Sequence, residues 1–366
     1  MSLLNRLFPA EELRSSMSVG AGSMMPFIIT NGTASANHLV DASVALKNSD
    51  LYAVTSLISA DVAGSQFQGN SPMIDLLNDP SNDTPAYTFW QTYLLNLLLS
   101  GNAIAVIKRS KGVPVSLIAV NPASVTINQD DNTHVITYEI NDANNITGVF
   151  NQADVLHTRI MAYGTNYIES LLGHSPLESL SPELTRQDKA NKLSLATMTN
   201  AIAPTGLLKL PSAGEMTEET KEMVRKKFEQ ANSGDNVGRT IILDETADFK
   251  TVSINEDVAK YLTQLDWGRD QIAKVYGVPN NYLAGKGDEQ SSLQMTTALY
   301  INGLNRYIEP LLAELNKKLG GGIEIDMQSI TDYSGQQLTT NLINLVDKGI
   351  VTVQEAHQKL SSRGLI

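Results

Sequence analysis

The sequence predicts an α+β protein of more than one folded unit, and three observations predict it. Helical periodicity recurs in long stretches, most clearly over residues 175–202 and 293–319. Short alternating apolar segments cluster between Ala103 and Ile160. A strand–helix–strand–strand pattern over residues 205–254 interrupts two helical stretches, as an inserted unit would. The length of 366 residues agrees, being too long for one ordinary domain at roughly 100–200 residues each. With 42% apolar residues there is enough material for a real core.

Residues 1–49 are rich in Ser, Gly, Ala and Met, and are expected to form an arm with little structure of its own. Residues 50–174 begin with a helix whose Val54, Leu57, Ile58 and Asp61-Val62 recur at helical spacing up to Gly64. Ser71-Pro72 opens a short helix, Met73 to Leu77. Thr84 is expected to cap the next helix with Pro85 at its first position, and Gly101-Asn102 to end it. Strands follow over Ala103–Lys108, Val113–Val120, Ser124–Asn128, Val135–Ile140 and Val155–Ile160, with Asp131-Asn132 as a turn.

Ser175-Pro176 starts a long helix over residues 175–204, with Pro182 inside its second turn. In the insert, Leu207–Leu210, Arg239–Asp244 and Phe249–Ile254 read as strands. Thr217 caps a helix whose Glu218 and Glu219 suit the positive end of its dipole. Along that helix, Glu222 and Lys226 stand at pairing distance, which makes a solvated face the plain reading of its charges. Asn255 caps the next helix, which carries Val258, Leu262, Leu265, Ile272 and Val275 on one face and stops at Gly277-Val278-Pro279. Residues 280–292 read as a polar, Gly-containing loop. The longest helix, Leu293 to Leu319, is expected to kink at Pro310 and to stop at Gly320-Gly321-Gly322. A strand, Ile323–Met327, and two short helices around Gly349 complete residues 293–366.

Composition excludes several classes of function. There is no cysteine, hence no disulfide, thiolate metal site or cysteine nucleophile. The longest apolar run, Tyr93 to Ser100, falls far short of the roughly 20 residues of a membrane span. Residues 1–9 lack the apolar length of a secretory signal, so the protein is expected to be intracellular when made. The net charge of −12 argues against tight gripping of nucleic-acid phosphates, which needs Lys and Arg. It does not argue against a surface past which DNA slides.

Catalytic patterns are missing. His38, His134, His157, His174 and His357 show no metal-ligand spacing. The Gly20-Ala21-Gly22 run lacks the strand–helix context of a dinucleotide site. The Gly285-Lys286-Gly287 run fails as a phosphate loop: Asn280 stands where the first glycine is needed and Gly287 where Ser or Thr is needed. No catalytic residue, metal site or cofactor is expected. An enzyme, such as a nucleotide hydrolase, is the reading these failures oppose.

Several segments, in order, resemble HK97-like portal proteins of tailed phages. They are Tyr52-Ala53-Val54 leading to Ile58–Ala63, Leu76–Asn82, Gly101-Asn102-Ala103, Asp154–Arg159, Gly173–Glu178, Pro204-Thr205-Gly206 and Val275–Pro279, followed by the long helix from Leu293. Each piece alone is weak, and their order over about residues 50–320 makes the match specific. Two features depart from the family: the turn before Pro204 lacks an aromatic-rich run, and the C-terminal part is short.

The resemblance implies a portal fold, with residues 50–174 as an α/β wing and 175–204 and 255–279 as stem helices. Residues 205–254 would be an inserted α/β clip, and 280–292 a tunnel loop. Residues 293–330 would be a kinked helix with a wing strand, and 331–366 a small helical crown. It further implies a homo-oligomeric ring of about twelve subunits, built by head-to-tail contacts. That ring would stand at the capsid portal vertex of the virion, assembled in the host cytoplasm, with double-stranded DNA packaged and ejected through it without sequence preference. Implied partners are the large terminase, the head–tail adaptor, and the major capsid and scaffold proteins. On this basis Asn280, Asn281, Lys286, Asp288 and Glu289 are candidates for facing DNA, with Lys286 offset by the two carboxylates. Lys221, Arg225, Lys226 and Lys227 are candidates for docking the motor or adaptor. The alternative within the same setting is another structural virion component, such as an adaptor or capsid shell protein. For 280–292 it is an ordinary surface connection.

Overall fold

The computed structural model describes residues 14–19, 27–30, 33–36, 46–130, 133–142, 146–164, 167, 169–202, 206–209, 217–231, 248–251, 265–284, 290–327, 330, 332, 335–361 and 365–366. The chain divides into two compact units, Met1–Ser181 with Ile272–Ile366, and Pro182–Gln271.

In the first unit the residues before 50 are not without structure. Strand β1, Arg14–Val19, lies antiparallel on a strand of the following region, and β2, Phe27–Thr30, pairs with β3, Thr33–Ala36. Helix α1, Ser49–Ala63, starts where the Asn48 side chain accepts the N–H groups of Asp50 and Leu51, each at 3.0 Å. Its Leu51, Val54, Ile58 and Val62 are buried, the face that the spacing predicts. Strand β4, Gln66–Gly69, precedes helix α2, Ile74–Asn78. The Asn78 side chain exchanges two 3.0 Å hydrogen bonds with the backbone of Phe67, as a neighbouring strand would. Helix α3, Ala86–Ser100, begins one residue later than expected, with Pro85 at the cap position. Its Trp90 packs 4.8 Å from the ring of Phe67 and donates Nε1–H to the Leu77 carbonyl at 2.8 Å.

Two antiparallel sheets follow. Strands β5, Asn102–Ser110, and β6, Val113–Val120, join β10, Val155–Arg159, in the order β10-β5-β6. Strands β7, Val125–Asp130, β8, Ile136–Asp142, and β9, Ile146–Asn151, join β1 in the order β1-β7-β8-β9. A shared core contains Ile104, Val106 and Val155 of one sheet and Ile127, Tyr138 and Ile140 of the other. Strand β9 is absent from the sequence reading. The turn expected at Asp131-Asn132 lies outside the described residues.

Helix α4, Pro176–Ile202, runs through Pro182, and the division between the units falls at that proline. The second unit then holds β11, Gly206–Lys209, antiparallel to β12, Asp248–Thr251, with helix α5, Glu218–Ala231, between them in sequence. The strand expected at Arg239–Asp244 and the helix start at Asn255, with Val258 and Leu262, lie outside the described residues. Helix α6, Leu265–Tyr276, crosses α4 so closely that a Cβ at Gly268 would meet the Gln187 amide at 2.0 Å.

Residues 280–292 are not one loop. Helix α7, Asn280–Ala284, takes its first part, and helix α8, Gln290–Leu319, takes its last. Only residues 285–289 separate the helices, and they lie outside the described residues. Helix α8 is also uninterrupted at Pro310, although that residue leaves the Arg306 carbonyl without its helical donor. Strand β13, Ile323–Asp326, pairs antiparallel with β4. Helices α9, Gln336–Asp347, and α10, Val353–Ser361, flank Gly349 as expected.

Candidate functional site

Three of the segments that carry the resemblance meet at one buried junction. A Cβ at Gly173 would lie 2.1 Å from the Gly101 carbonyl oxygen, so the two glycines let the chain before α4 and the end of α3 come into backbone contact. Asn102 fills the junction: its amide donates to the carbonyls of Ser100 and Gly173, both at 2.9 Å. Its Oδ1 accepts the Gly173 N–H at 2.8 Å and faces His157 Nε2 at 3.1 Å. An amide oxygen only accepts, so His157 carries its proton on Nε2. Nδ1 is then the acceptor for the Tyr138 hydroxyl at 3.1 Å. Burial, reinforced by Arg159 and Lys318, pushes His157 down to about 3, so the ring is neutral at neutral pH. Burial likewise pushes Tyr138 up to about 12, keeping its proton in place.

The same junction ties α8 to the sheet. Strand β10 is an edge strand, and Glu314 of α8 accepts the His157 backbone N–H at 3.1 Å, closing part of that edge. Lys318 lies 3.9 Å from Glu314 and donates to the Gln152 carbonyl. Tyr93 and Thr158 hydroxyls pair at 2.9 Å behind it. Chemically the junction offers a neutral imidazole whose nitrogens are both engaged. It leaves no free base, and among the described residues no group of acidic or histidine side chains could hold a metal ion.

His174 differs. Its Nε2 lies 2.9 Å from the Tyr163 carbonyl oxygen and its Nδ1 3.1 Å from Glu178. Both partners only accept, so the arrangement requires the doubly protonated ring, and these two acceptors raise its affinity for the second proton. Glu178 also accepts the Ser175 N–H at 3.3 Å, while Ser175 Oγ accepts from Leu177, a capping box that explains why α4 starts there.

Of the residues singled out in the sequence, Asn280 and Asn281 lie on α7, and the Asn280 side chain is exposed. Lys286, Asp288 and Glu289 lie outside the described residues. The base of this segment is firmly built. Gly277, in the left-handed region at φ 74°, ends α6, with its N–H on Lys274 and the Val278 N–H on Ala273. A Cβ at Gly303 of α8 would lie 2.1 Å from the Gly277 oxygen, and the Arg306 guanidinium lies against Gly277 and donates to the Val275 carbonyl at 3.3 Å. Tyr282 of α7 stacks on Tyr300 of α8 with centroids 4.4 Å apart, and Tyr300 donates to Asp61 of α1 at 2.6 Å. Sequence reading missed this cluster; its one visible signal is the pair of aromatics flanking a polar stretch.

The basic residues of α5 share one exposed helix. Lys221 pairs with Glu218 at 2.7 Å and Arg225 with Glu222 at 2.6 Å. Glu222 therefore serves the side chain three positions on, where Lys226 was expected; a short i,i+3 approach suits the longer Arg fork. Lys226 and Lys227 are exposed and make no ion pair among the described residues.

The geometry defines a class first: a two-unit α+β protein whose polar clusters brace helices against sheets. Its family follows from comparison with known proteins. The chain belongs to the phage portal protein family, whose sequence model matches residues 49–360. It is 26% identical over 238 residues to the probable portal protein of Streptomyces phage phiC31, covering 62% of this chain and 51% of that one. It is 24% identical over 230 residues to an uncharacterized protein of Rickettsia bellii (strain RML369-C), covering 61% and 58%. The chain thus spans about half the length of the curated relatives it matches. Among solved structures, it resembles an HK97-family phage portal protein from Corynebacterium diphtheriae, with TM-score 0.59, 12% identity, and 79% and 96% of the two chains covered. It also resembles chains of the virion of a native gene transfer agent particle (TM-score 0.57, 19% identity, 86% and 90% covered) and of that particle's neck with C12 symmetry (0.55, 20%, 86% and 91%). These likenesses show the fold.

Proposed function

We propose that this chain is the subunit of a closed portal ring through which double-stranded DNA passes during packaging and ejection. One observation carries the reading: the family match runs from residue 49 to 360 and takes in both units and the 280–292 segment. In this reading residues 50–174 are the wing, 175–204 and 255–279 the stem, 205–254 the clip and 331–366 the crown. The C12 symmetry of the gene transfer agent neck supports a ring of twelve. Asn280, Asn281, Lys286, Asp288 and Glu289 face the DNA, and the acidic balance keeps contact non-specific. Lys221, Arg225, Lys226 and Lys227 form the surface for the terminase motor and then the head–tail adaptor. The subunit is a structural part of the virion, without catalysis of its own.

Imaging of the purified protein by negative stain, with native mass measurement, tests this. Closed rings with a central hole are expected. Only monomers or twofold dimers at micromolar concentration overturn the ring, and steady ATP turnover by the pure protein overturns the non-catalytic part.

A further inference from the structure

We infer that Asp61, Tyr300 and Tyr282 act together as a positioning relay that ties the entry of the 280–292 segment to helix α1. The relay crosses three elements. Tyr282 is the middle residue of α7, and its ring lies on that of Tyr300 at 4.4 Å and 16° between planes. Tyr300 is fully buried on α8, and its hydroxyl donates to Asp61 Oδ2 at 2.6 Å, the length of a charge-assisted bond. Burial and the Asp61 carboxylate hold the Tyr300 proton in place far above neutral pH, so the hydroxyl is always the donor.

Packing alone does not account for this arrangement. Phenylalanine would fill the Tyr300 site and stack on Tyr282 equally well. A hydroxyl there draws a half-buried carboxylate out of water, a cost that burial registers by raising Asp61 above its ordinary range. That carboxylate is offset only if its bond to Tyr300 is kept, which fixes the ring that Tyr282 lies on. The Gly277–Gly303 contact and Arg306 pin the chain just before Pro279, and the Pro279 carbonyl accepts the Tyr282 N–H at 3.0 Å. The relay therefore settles how α7 is held against α8. If the segment faces DNA, as proposed above, the relay sets where it does so. The relay itself stands or falls on the subunit alone.

Amide hydrogen exchange on assembled rings tests it. Asp61→Ala is expected to speed exchange over residues 280–284 about fivefold or more, although the Asp61 hydrogen bond is made to Tyr300 and not to that stretch. Asp61→Asn, whose amide oxygen accepts the same bond, is expected to restore most of the protection. Faster exchange confined to α1, with 280–284 unchanged, overturns the relay. Should Asp61→Ala rings fail to assemble, Tyr300→Phe keeps the stack and removes only the bond, and unchanged exchange at 280–284 in that variant overturns the relay equally. DNA packaging measured on the same variants separates the two claims. Faster exchange with normal packaging leaves the relay standing and removes the DNA-facing role of the segment.

Discussion

At the junction of β10 with α8, polar side chains satisfy one another in the interior: Asn102, His157, Tyr138 and Glu314 each serve a partner on another element. On α5 the charged side chains reach only three positions along their own helix, and most of their surface stays in water. The first arrangement is costly to disturb, because each lost partner strands a buried group. The second contributes little to folding, because exposed pairs are worth tenths of a kcal/mol. Polar residues in the first region are therefore accounted for by the fold. Those of α5 are not required by the fold: they form a solvated face, and a partner for them belongs to the docking proposal.

Acid gives the sharpest contrast. His157 has its folded affinity for a proton depressed from 6.5 to about 3. The folded state thus binds fewer protons than the unfolded chain between those values. Stability from the neutral ring is present above pH 6.5 and is lost as pH falls toward 3, at up to about 1.4 kcal/mol per pH unit. Urea unfolding between pH 7 and pH 4 should show this slope in the wild type and a shallower one in His157→Leu. Equal slopes would break the assignment to this residue.

A second test removes the centre of the junction. Asn102→Ala strands the Gly173 N–H, the Gly173 carbonyl and His157 Nε2. A loss of about 3 kcal/mol is expected from urea unfolding at pH 7. A loss below about 1 kcal/mol would mean that water replaces the amide without difficulty.

On α5 the same measurement should barely move. Charge reversal of Lys226 and Lys227 to Glu should change stability by no more than about 0.5 kcal/mol, while motor binding falls with rings intact. Unchanged motor binding would remove this helix from the docking surface.

The smallest effect belongs to His174, whose side chain is 47% exposed. Its folded affinity for a proton is raised, so its contribution is full below the unfolded value near 6.5 and fades as pH rises through the folded one. Solvent screening limits it to a few tenths of a kcal/mol, visible as a slightly flatter profile above pH 6.5 in His174→Gln.

The helices were the legible part of the sequence. Val54, Ile58 and Val62 announce the buried face of α1, and Gly277 and Gly320 stop two helices where left-handed backbone is required. Strand β9 was hidden because Gly148 breaks its alternation, and β1 because Arg14-Ser15-Ser16 carries no apolar period. Helix α7 looks like loop in the sequence because its asparagines and the following glycines suit turns. The relay was invisible for a different reason: Asp61 and Tyr300 are 239 residues apart, and nothing local in either stretch refers to the other.

Strand β1 has a consequence for how the chain behaves when cut short. The family match begins at residue 49, well after β1 ends at Val19. A chain trimmed to the family boundary would keep β7 but lose the strand that hydrogen-bonds its outer side from Val125 to Asp130. An uncovered strand of that kind is a template for any extended peptide, including the same strand of another molecule. Trimmed protein would then gather into irregular clumps sheet to sheet, and an apparent failure to assemble would record a missing cover rather than a defective subunit.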